Sequence, residues 1–329
     1  MPDTLKPTST PAMVDLLAQI WRRVLQVTFV GVEDNFFDLG GDSAQAVALF
    51  NQIAETCGRE IPPVMIYHAP TIAALAALLE SQKTSRFPPL VLLKAGTQPP
   101  PVFITHGLGG SVIDFYQVIK HLDTLHAIHG MQARGIDGVD APFDRIEDMA
   151  DFYLDAVREM QPRGPYLLVG FSLGGLVTLE MAQRLTAEGE KVALLAMLDS
   201  YPHVRHLSTA QRLRLKVQQT RVRMSEKLRS AATSLVQPLT DALSPTQQRL
   251  RDSAYLALEH YRPRFYPGKI NFIRAAIHTN FPVDAVGVWG HLAKDFSVDT
   301  VPGDHLGIMT THYDKLAAVL SRYLRESLS

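Results

Sequence analysis

The chain has 329 residues, 46% hydrophobic and 20% charged, which is ample for two folded domains and excludes wholesale disorder. Its 32 Lys+Arg and 33 Asp+Glu leave a net charge of −1, without the basic excess of a dedicated nucleic-acid binder. A single cysteine, Cys57, excludes an internal disulfide framework and a Cys-rich zinc site, and no apolar run reaches the roughly 18 residues of a membrane span. Residues 1–11 are polar and lack the apolar core of a signal peptide, so the expectation is a soluble cytoplasmic protein.

The balanced charge conceals an asymmetry. Residues 1–80 hold four basic and nine acidic side chains, a net of −5, so the remainder carries +4. Leu16, Leu17, Ile20, Trp21, Val24 and Leu25 recur at helical spacing and predict a helix over 11–27. A loop follows through Asp34-Asn35-Phe36-Phe37-Asp38-Leu39-Gly40-Gly41. A second helix starts at Asp42 or Ser43 and ends before Gly58, a C-terminal cap, and Thr71 opens an apolar helix over 72–79. A helical unit of this size has little interior for a substrate and is not expected to be an enzyme by itself. The next stretch, 81–100, is rich in proline and reads as a semi-rigid linker, within which Val91-Leu92-Leu93 pairs as an edge strand of the second domain.

From residue 101 onward, short apolar strands alternate with helices. Strands are expected at 102–105, 127–129, 166–169, 192–198 and 270–274, and helices at 111–122, 146–160, 173–188 and 311–325. Alternation of this kind predicts a mostly parallel sheet with helices on both faces.

Two serines carry chemistry. Asp42-Ser43 sits where a Gly-Gly turn becomes a helix, and taken alone would be an ordinary N-cap. The whole string Asp34-Asn35-Phe36-Phe37-Asp38-Leu39-Gly40-Gly41-Asp42-Ser43, however, resembles the attachment motif of carrier domains from nonribosomal peptide and polyketide synthases, over about residues 11–80. The resemblance implies a four-helix carrier bundle over 1–80 in which Ser43 bears a covalent 4′-phosphopantetheine, installed by a phosphopantetheinyl transferase. Ala44-Gln45-Ala46 departs from relatives that place a bulkier apolar residue after the serine, which bears on partner recognition and not on the hydroxyl.

The second serine lies in Gly170-Phe171-Ser172-Leu173-Gly174, a G-x-S-x-G sequence with a strand before it and a helix after it, the context a nucleophile elbow requires. Serine needs a base and an acid to orient that base. Among 12 histidines, His305 lies in Gly303-Asp304-His305, in the turn between a strand end and the last helix, and is the expected base. His106 is expected to shape a loop, His203 and His206 to lie outside the sheet, and Asp304 to be a turn residue. Two carboxylates compete for the third role: Asp199 ends the strand after the elbow, and Asp284 follows a later one. Backbone donors for the tetrahedral oxyanion are expected at Leu173 and, from His106-Gly107-Leu108-Gly109-Gly110, at Leu108.

These pieces together resemble the type I thioesterase domains that end nonribosomal peptide and polyketide assembly lines, α/β-hydrolases spanning 101–329 here. The resemblance favours Asp199 over Asp284, calls for no metal, and implies a helical lid at about 203–266. Within it, residues 203–232 hold eight basic side chains and one acidic; Arg214, Arg221 and Arg223 are either on a solvated face or on a surface for the acidic carrier or the phosphate of its arm. Ser244-Pro245-Thr246-Gln247 reads as a capping box with Pro at N1. The implied function is an offloading thioesterase that releases an acyl or peptidyl chain by hydrolysis or cyclisation. The alternatives are an editing hydrolase or acyltransferase, and a general esterase with a non-catalytic N-terminal module. If Met1 is the natural start, upstream synthetase modules supply the acyl chain in trans.

Overall fold

The computed structural model describes residues 10–81, 88–230, 244–277, 281–282 and 284–327, with side chains undescribed over 221–230. The N-terminal unit comprises α1 (Pro11–Leu25), α2 (Ser43–Cys57) and α3 (Ile72–Glu80), with a 3₁₀ turn, Pro63–Tyr67, in the place of a fourth helix. Pro62 and Pro63 supply no N–H for a longer ladder there. Trp21, Phe36, Phe50 and Leu75 are buried where the three helices meet, and Trp21 and Phe36 pack edge to face at 5.2 Å. The aromatic pair thus fixes the Gly-Gly loop onto the bundle, and Gly41 is glycine because a Cβ would stand 2.4 Å from the Phe36 ring. Asp42 caps α2 by accepting from the Gln45 N–H (2.8 Å), and Gly58 closes the helix at φ 66° as expected.

The second unit runs through β1 (Leu90–Lys94), β2 (Gln98–Thr105), α4 (Tyr116–Lys120), β3 (His126–Met131), α5 (Ile146–Met160), β4 (Tyr166–Phe171), α6 (Leu173–Ala187) and β5 (Val192–Leu198). It continues through α7 (Thr209–Ser230), α8 (Pro245–His260), β6 (Tyr266–Ala275), α9 (Ala285–Trp289), β7 (Ala293–Val301), α10 (Gly307–Thr310) and α11 (Tyr313–Ser327). The seven strands lie in the order β1-β3-β2-β4-β5-β6-β7; β1 is antiparallel to β3 and every other pairing is parallel. All six residues of β4 are buried, which is what a central parallel strand covered on both faces demands. One face packs on α5 and α6, the other on α4 and α11.

Several expectations shift in detail. The edge strand expected inside the 81–100 stretch is β1, and β2 already begins there at Gln98. The helix expected over 111–122 is a 3₁₀ turn, Ile113–Phe115, followed by the short α4. β7 is nine residues long where only a strand end is legible, because it is an outer strand with only Ala293 and Val301 buried and so lacks an apolar run. The capping box at Ser244 and Gln247 forms as read.

The two units share an interface. Tyr116, the first residue of α4, stacks on Phe37 of the Gly-Gly loop at 4.9 Å with the rings 20° apart, and Phe37 packs on Tyr67 at 5.0 Å. Ile113 inserts among the buried apolar residues of the helical unit, and Val64 among those of the sheet unit. Burial and the carboxylates of Asp42 and Asp38 push the Tyr116 hydroxyl pKa up, which places this contact beside the N-terminus of α2.

Candidate active site

β4, β5 and β7 run parallel and end on the same edge of the sheet, the end where open α/β sheets bind ligands. Ser172 stands between β4 and α6 with φ 54° and ψ −119°, a conformation that side chains rarely adopt and that the packing must enforce. Close contacts on either side enforce it. A Cβ on Gly170 would lie 2.2 Å from the Gly174 carbonyl oxygen, and one on Gly174 would lie 2.4 Å from that of His106. The Ser172 N–H donates to the Leu198 carbonyl at 2.9 Å, tying the turn to the end of β5.

Asp199 follows β5 directly, at φ 44° and 1% exposure. Its N–H donates to the Ile273 carbonyl (2.7 Å), and its Oδ1 accepts from the Ala275 N–H (3.0 Å). Its Oδ2 lies 2.8 Å from His305 Nδ1, and His305 Nε2 lies 3.0 Å from Ser172 Oγ. A carboxylate only accepts, so His305 carries its proton on Nδ1 and presents the Nε2 lone pair to the serine hydroxyl. Ser172, Asp199 and His305, 133 positions apart at most in sequence, therefore meet in one hydrogen-bonded line. The competing Asp284 caps α9 through the Gly287 N–H (2.8 Å) and faces Arg214 at 3.7 Å. Asp304 is a turn residue, accepting from the Gly307 N–H at 2.7 Å.

The loop after β2 closes over the serine. A Cβ on Gly107 would stand 3.7 Å from the Ser172 Cβ and 3.1 Å from the Phe171 ring, so the backbone leading to Leu108 lies against the elbow. Leu173 is the first residue of α6, where N–H groups lack intrahelical acceptors. His106 shapes this loop as expected, with Nδ1 2.6 Å from the Gly107 carbonyl and Nε2 2.7 Å from the Tyr153 hydroxyl. Nδ1 must donate to the carbonyl, so Nε2 accepts from Tyr153. Tyr153 is a partner that sequence cannot single out, because within α5 it occupies a position indistinguishable from other core residues.

Burial pushes the His106 pKa down to about 4, from 6.5. The unfolded chain therefore binds a proton that the native state refuses between these values, so stability is retained above pH 6.5 and lost as pH falls towards 4. The loss reaches about 3 kcal/mol for this group. A His106→Gln variant should show a flatter fall in unfolding midpoint across that window, read by thermal denaturation at a series of pH values.

Ser43 is the first residue of α2 and half-buried; Asp42, not Ser43, supplies the cap, so the cap does not consume the Ser43 hydroxyl. Gln45, at the departure from the usual pattern, completes the capping box and donates to the Val24 carbonyl at 3.3 Å. A half-buried serine at the start of a 15-residue helix, its hydroxyl not used by the cap, suits a phosphodiester, which the helix N-terminus favours.

The C-terminal end of the segment expected to form a lid is held by a charge cluster with no sequence signature. Glu180 of α6, 2% exposed, accepts from the Tyr261 hydroxyl (3.1 Å) and from Arg264 (3.0 Å), both just beyond α8. Arg214 is engaged with Asp284, and the side chains of Arg221 and Arg223 lie outside the described residues.

The family model of the thioesterase domain matches residues 100–325. The chain belongs to the thioesterase domain family. The phosphopantetheine attachment site model matches residues 15–79, so this thioesterase domain follows a phosphopantetheine attachment domain in the same chain. Among curated proteins, the dimodular nonribosomal peptide synthase of Bacillus subtilis (strain 168) is 40% identical over 190 residues, 57% of this chain and 8% of that protein. The indigoidine synthase of Dickeya dadantii (strain 3937) is 34% identical over 179 residues, 54% of this chain and 12% of that protein. The chain thus spans only a small fraction of the length of the curated relatives it matches. A solved structure of holo-AB3403, a four-domain nonribosomal peptide synthetase, covers 98% of this chain and 26% of its own at 25% identity and a TM-score of 0.61. The type II thioesterase BorB, from the borrelidin biosynthetic cluster, shares the fold over 74% of this chain and 100% of its own at 20% identity and a TM-score of 0.56. No helix among the described residues is long and apolar enough to cross a membrane.

Proposed function

We propose that the chain is an offloading thioesterase of nonribosomal peptide or related biosynthesis, which takes an acyl or peptidyl chain from the carrier at Ser43 and releases it through Ser172. The observation that carries the reading is the unbroken line Asp199–His305–Ser172 in the same chain as a phosphopantetheine attachment domain. 4′-Phosphopantetheine, when attached, supplies a terminal thiol that holds the acyl chain as a thioester.

The protein's own steps follow from the geometry. His305 Nε2 takes the hydroxyl proton as Ser172 Oγ bonds to the thioester carbonyl carbon. The N–H groups of Leu108 and Leu173 receive the charge that develops on the carbonyl oxygen. The C–S bond then breaks, and His305 returns its proton to the departing sulfur, leaving the acyl group as an ester on Ser172. Water, or a hydroxyl or amine within the acyl chain, gives a proton to His305 and attacks the ester, and Ser172 recovers the proton on release. Asp199 holds the imidazole tautomer and offsets the transient imidazolium charge throughout. Upstream synthetase modules are the proposed acyl donors and a phosphopantetheinyl transferase the proposed partner for Ser43.

Incubation with a phosphopantetheinyl transferase and an acyl-coenzyme A tests both halves. The expected result is one acyl-phosphopantetheinyl adduct on Ser43, followed by release of the acyl group, with the adduct persisting in Ser172→Ala and absent from Ser43→Ala by intact-mass spectrometry. A general esterase with an inert N-terminal module would leave Ser43 unmodified.

The Phe37–Tyr116 stack supplies a separate check on delivery in cis. An aromatic pair contributes roughly 1 kcal/mol beyond its area. Tyr116→Ala is expected to slow release from Ser43 by about five-fold while leaving hydrolysis of a small free thioester unchanged. Equal slowing of both would place Tyr116 in the hydrolase fold and not in docking.

A further inference from the structure

His305 is held at its edges by Asp199 and Ser172. The ring turns about its Cβ–Cγ bond, which swings Nδ1 and Nε2 out of plane in opposite directions and bends both hydrogen bonds. Groups packed against the imidazole restrict the same rotation. Two phenyl rings lie against it: Phe171, 4.8 Å away and 22° from parallel, and Phe281, 4.7 Å away and tilted by 50°. Phe171 belongs to the elbow and cannot move independently of Ser172. Phe281 belongs to the crossover between β6 and α9, and its position has a different origin.

Phe281 stacks on Tyr201 at 5.4 Å with planes 16° apart, and Tyr201 packs edge to face on Phe272 of β6 at 5.3 Å. Its backbone carbonyl accepts from Gln218 Nε2 of α7 at 3.2 Å. Farther along the same segment, Gln211 Nε2 donates to the Gly287 carbonyl at 3.0 Å, and Arg214 faces Asp284 at 3.7 Å. Residues 211, 214 and 218 are three and four apart, so one face of α7 grips the segment that carries Phe281.

We propose that Phe281 is a positioning residue that couples the seat of α7 to the catalytic imidazole. With α7 seated, Phe281 closes one face of His305 and holds the ring in line with Asp199 and Ser172; displacement of α7 withdraws that wall and leaves the dyad His305–Ser172 misaligned. The residue acts through His305 and contacts no reacting atom. The inference rests on the triad reading above, and its test separates the two.

The test uses the full chain, a small acyl thioester and a fluorophosphonate probe, which reads the reactivity of Ser172 without lid-dependent substrate recognition. Phe281→Leu keeps an apolar side chain and removes the flat face. It is expected to lower kcat and probe labelling about ten-fold, with KM within two-fold and an unfolding midpoint close to wild type. Phe281→Tyr restores a ring and should recover both rates. Gln218→Ala should slow labelling several-fold alone and add nothing in the Phe281→Leu background, since the two act in series. Wild-type labelling of Phe281→Leu, a loss confined to KM, or an equal cost of Gln218→Ala in both backgrounds would overturn the coupling. A wild-type chain that the probe fails to label at Ser172 would overturn the triad reading first, and the coupling with it.

Discussion

Ser172→Ala should lower thioester turnover by about a million-fold in kcat, the cost seen when a triad loses its nucleophile. The structure gives three reasons to expect a loss of this size without loss of the fold. Ser172 Oγ makes its described contact with His305 alone, so no structural hydrogen bond depends on it. Alanine keeps the Cβ, so the backbone at φ 54° carries no strain that serine does not already carry. The loop of His106-Gly107-Leu108 and the start of α6 remain, so the residual rate should stay above the uncatalysed one by the roughly thousand-fold that oxyanion donors and binding alone provide. KM should change little, because the substrate carbonyl still meets the same donors. Stopped assays on the free thioester and intact-mass spectrometry of the acylated chain measure the two consequences, loss of turnover and loss of the acyl-serine. A variant that retains even a hundredth of wild-type kcat would place the nucleophile elsewhere.

Much of this site was legible in sequence because strain and chain order leave compositional marks. Gly170 and Gly174 are glycines because no side chain fits beside the turn they flank, and that requirement is visible as G-x-S-x-G. Asp199 and His305 were legible from their places after β5 and after the last strand, positions set by the order of strands in a parallel sheet. What was not legible are contacts made by ordinary residues. Tyr153 reads as core and bonds His106; Phe281 reads as a loop apolar residue and packs on His305; Tyr116 reads as the middle of a helix and docks the attachment domain. Each depends on which elements pack together, and a side chain whose neighbour lies 24 to 79 residues away carries no local pattern that announces it. The length of β7 was hidden for the related reason that an outer strand buries too few residues to produce an apolar run.

Asp199→Asn should be the second most damaging substitution, at about ten-thousand-fold in kcat, and the reason lies in the second hydrogen bond that Asp199 makes. The carboxylate accepts twice, from the Ala275 N–H through Oδ1 and from His305 Nδ1–H through Oδ2. An amide has one acceptor. The Ala275 N–H is fixed in β6 and cannot turn away, so the amide oxygen must face it, since burying that donor against an NH₂ would leave both unsatisfied at a cost of about 1–3 kcal/mol. The NH₂ then points at His305 Nδ1, which can only accept from it, and the imidazole proton moves to Nε2. His305 now presents a donor to the serine where the reaction requires an acceptor, and the general base is lost with the geometry intact. Stability should therefore be close to wild type, and fluorophosphonate labelling should fall with kcat while KM is preserved. Asp199→Ala differs in leaving the buried Ala275 N–H without an acceptor, and should lose stability as well as rate. Asp284→Asn, at the exposed end of α9, removes only a contact with Arg214 and should cost no more than the several-fold expected for Gln218→Ala, whereas a loss of about ten-thousand-fold there with a mild one at Asp199 would reverse the assignment of the acid.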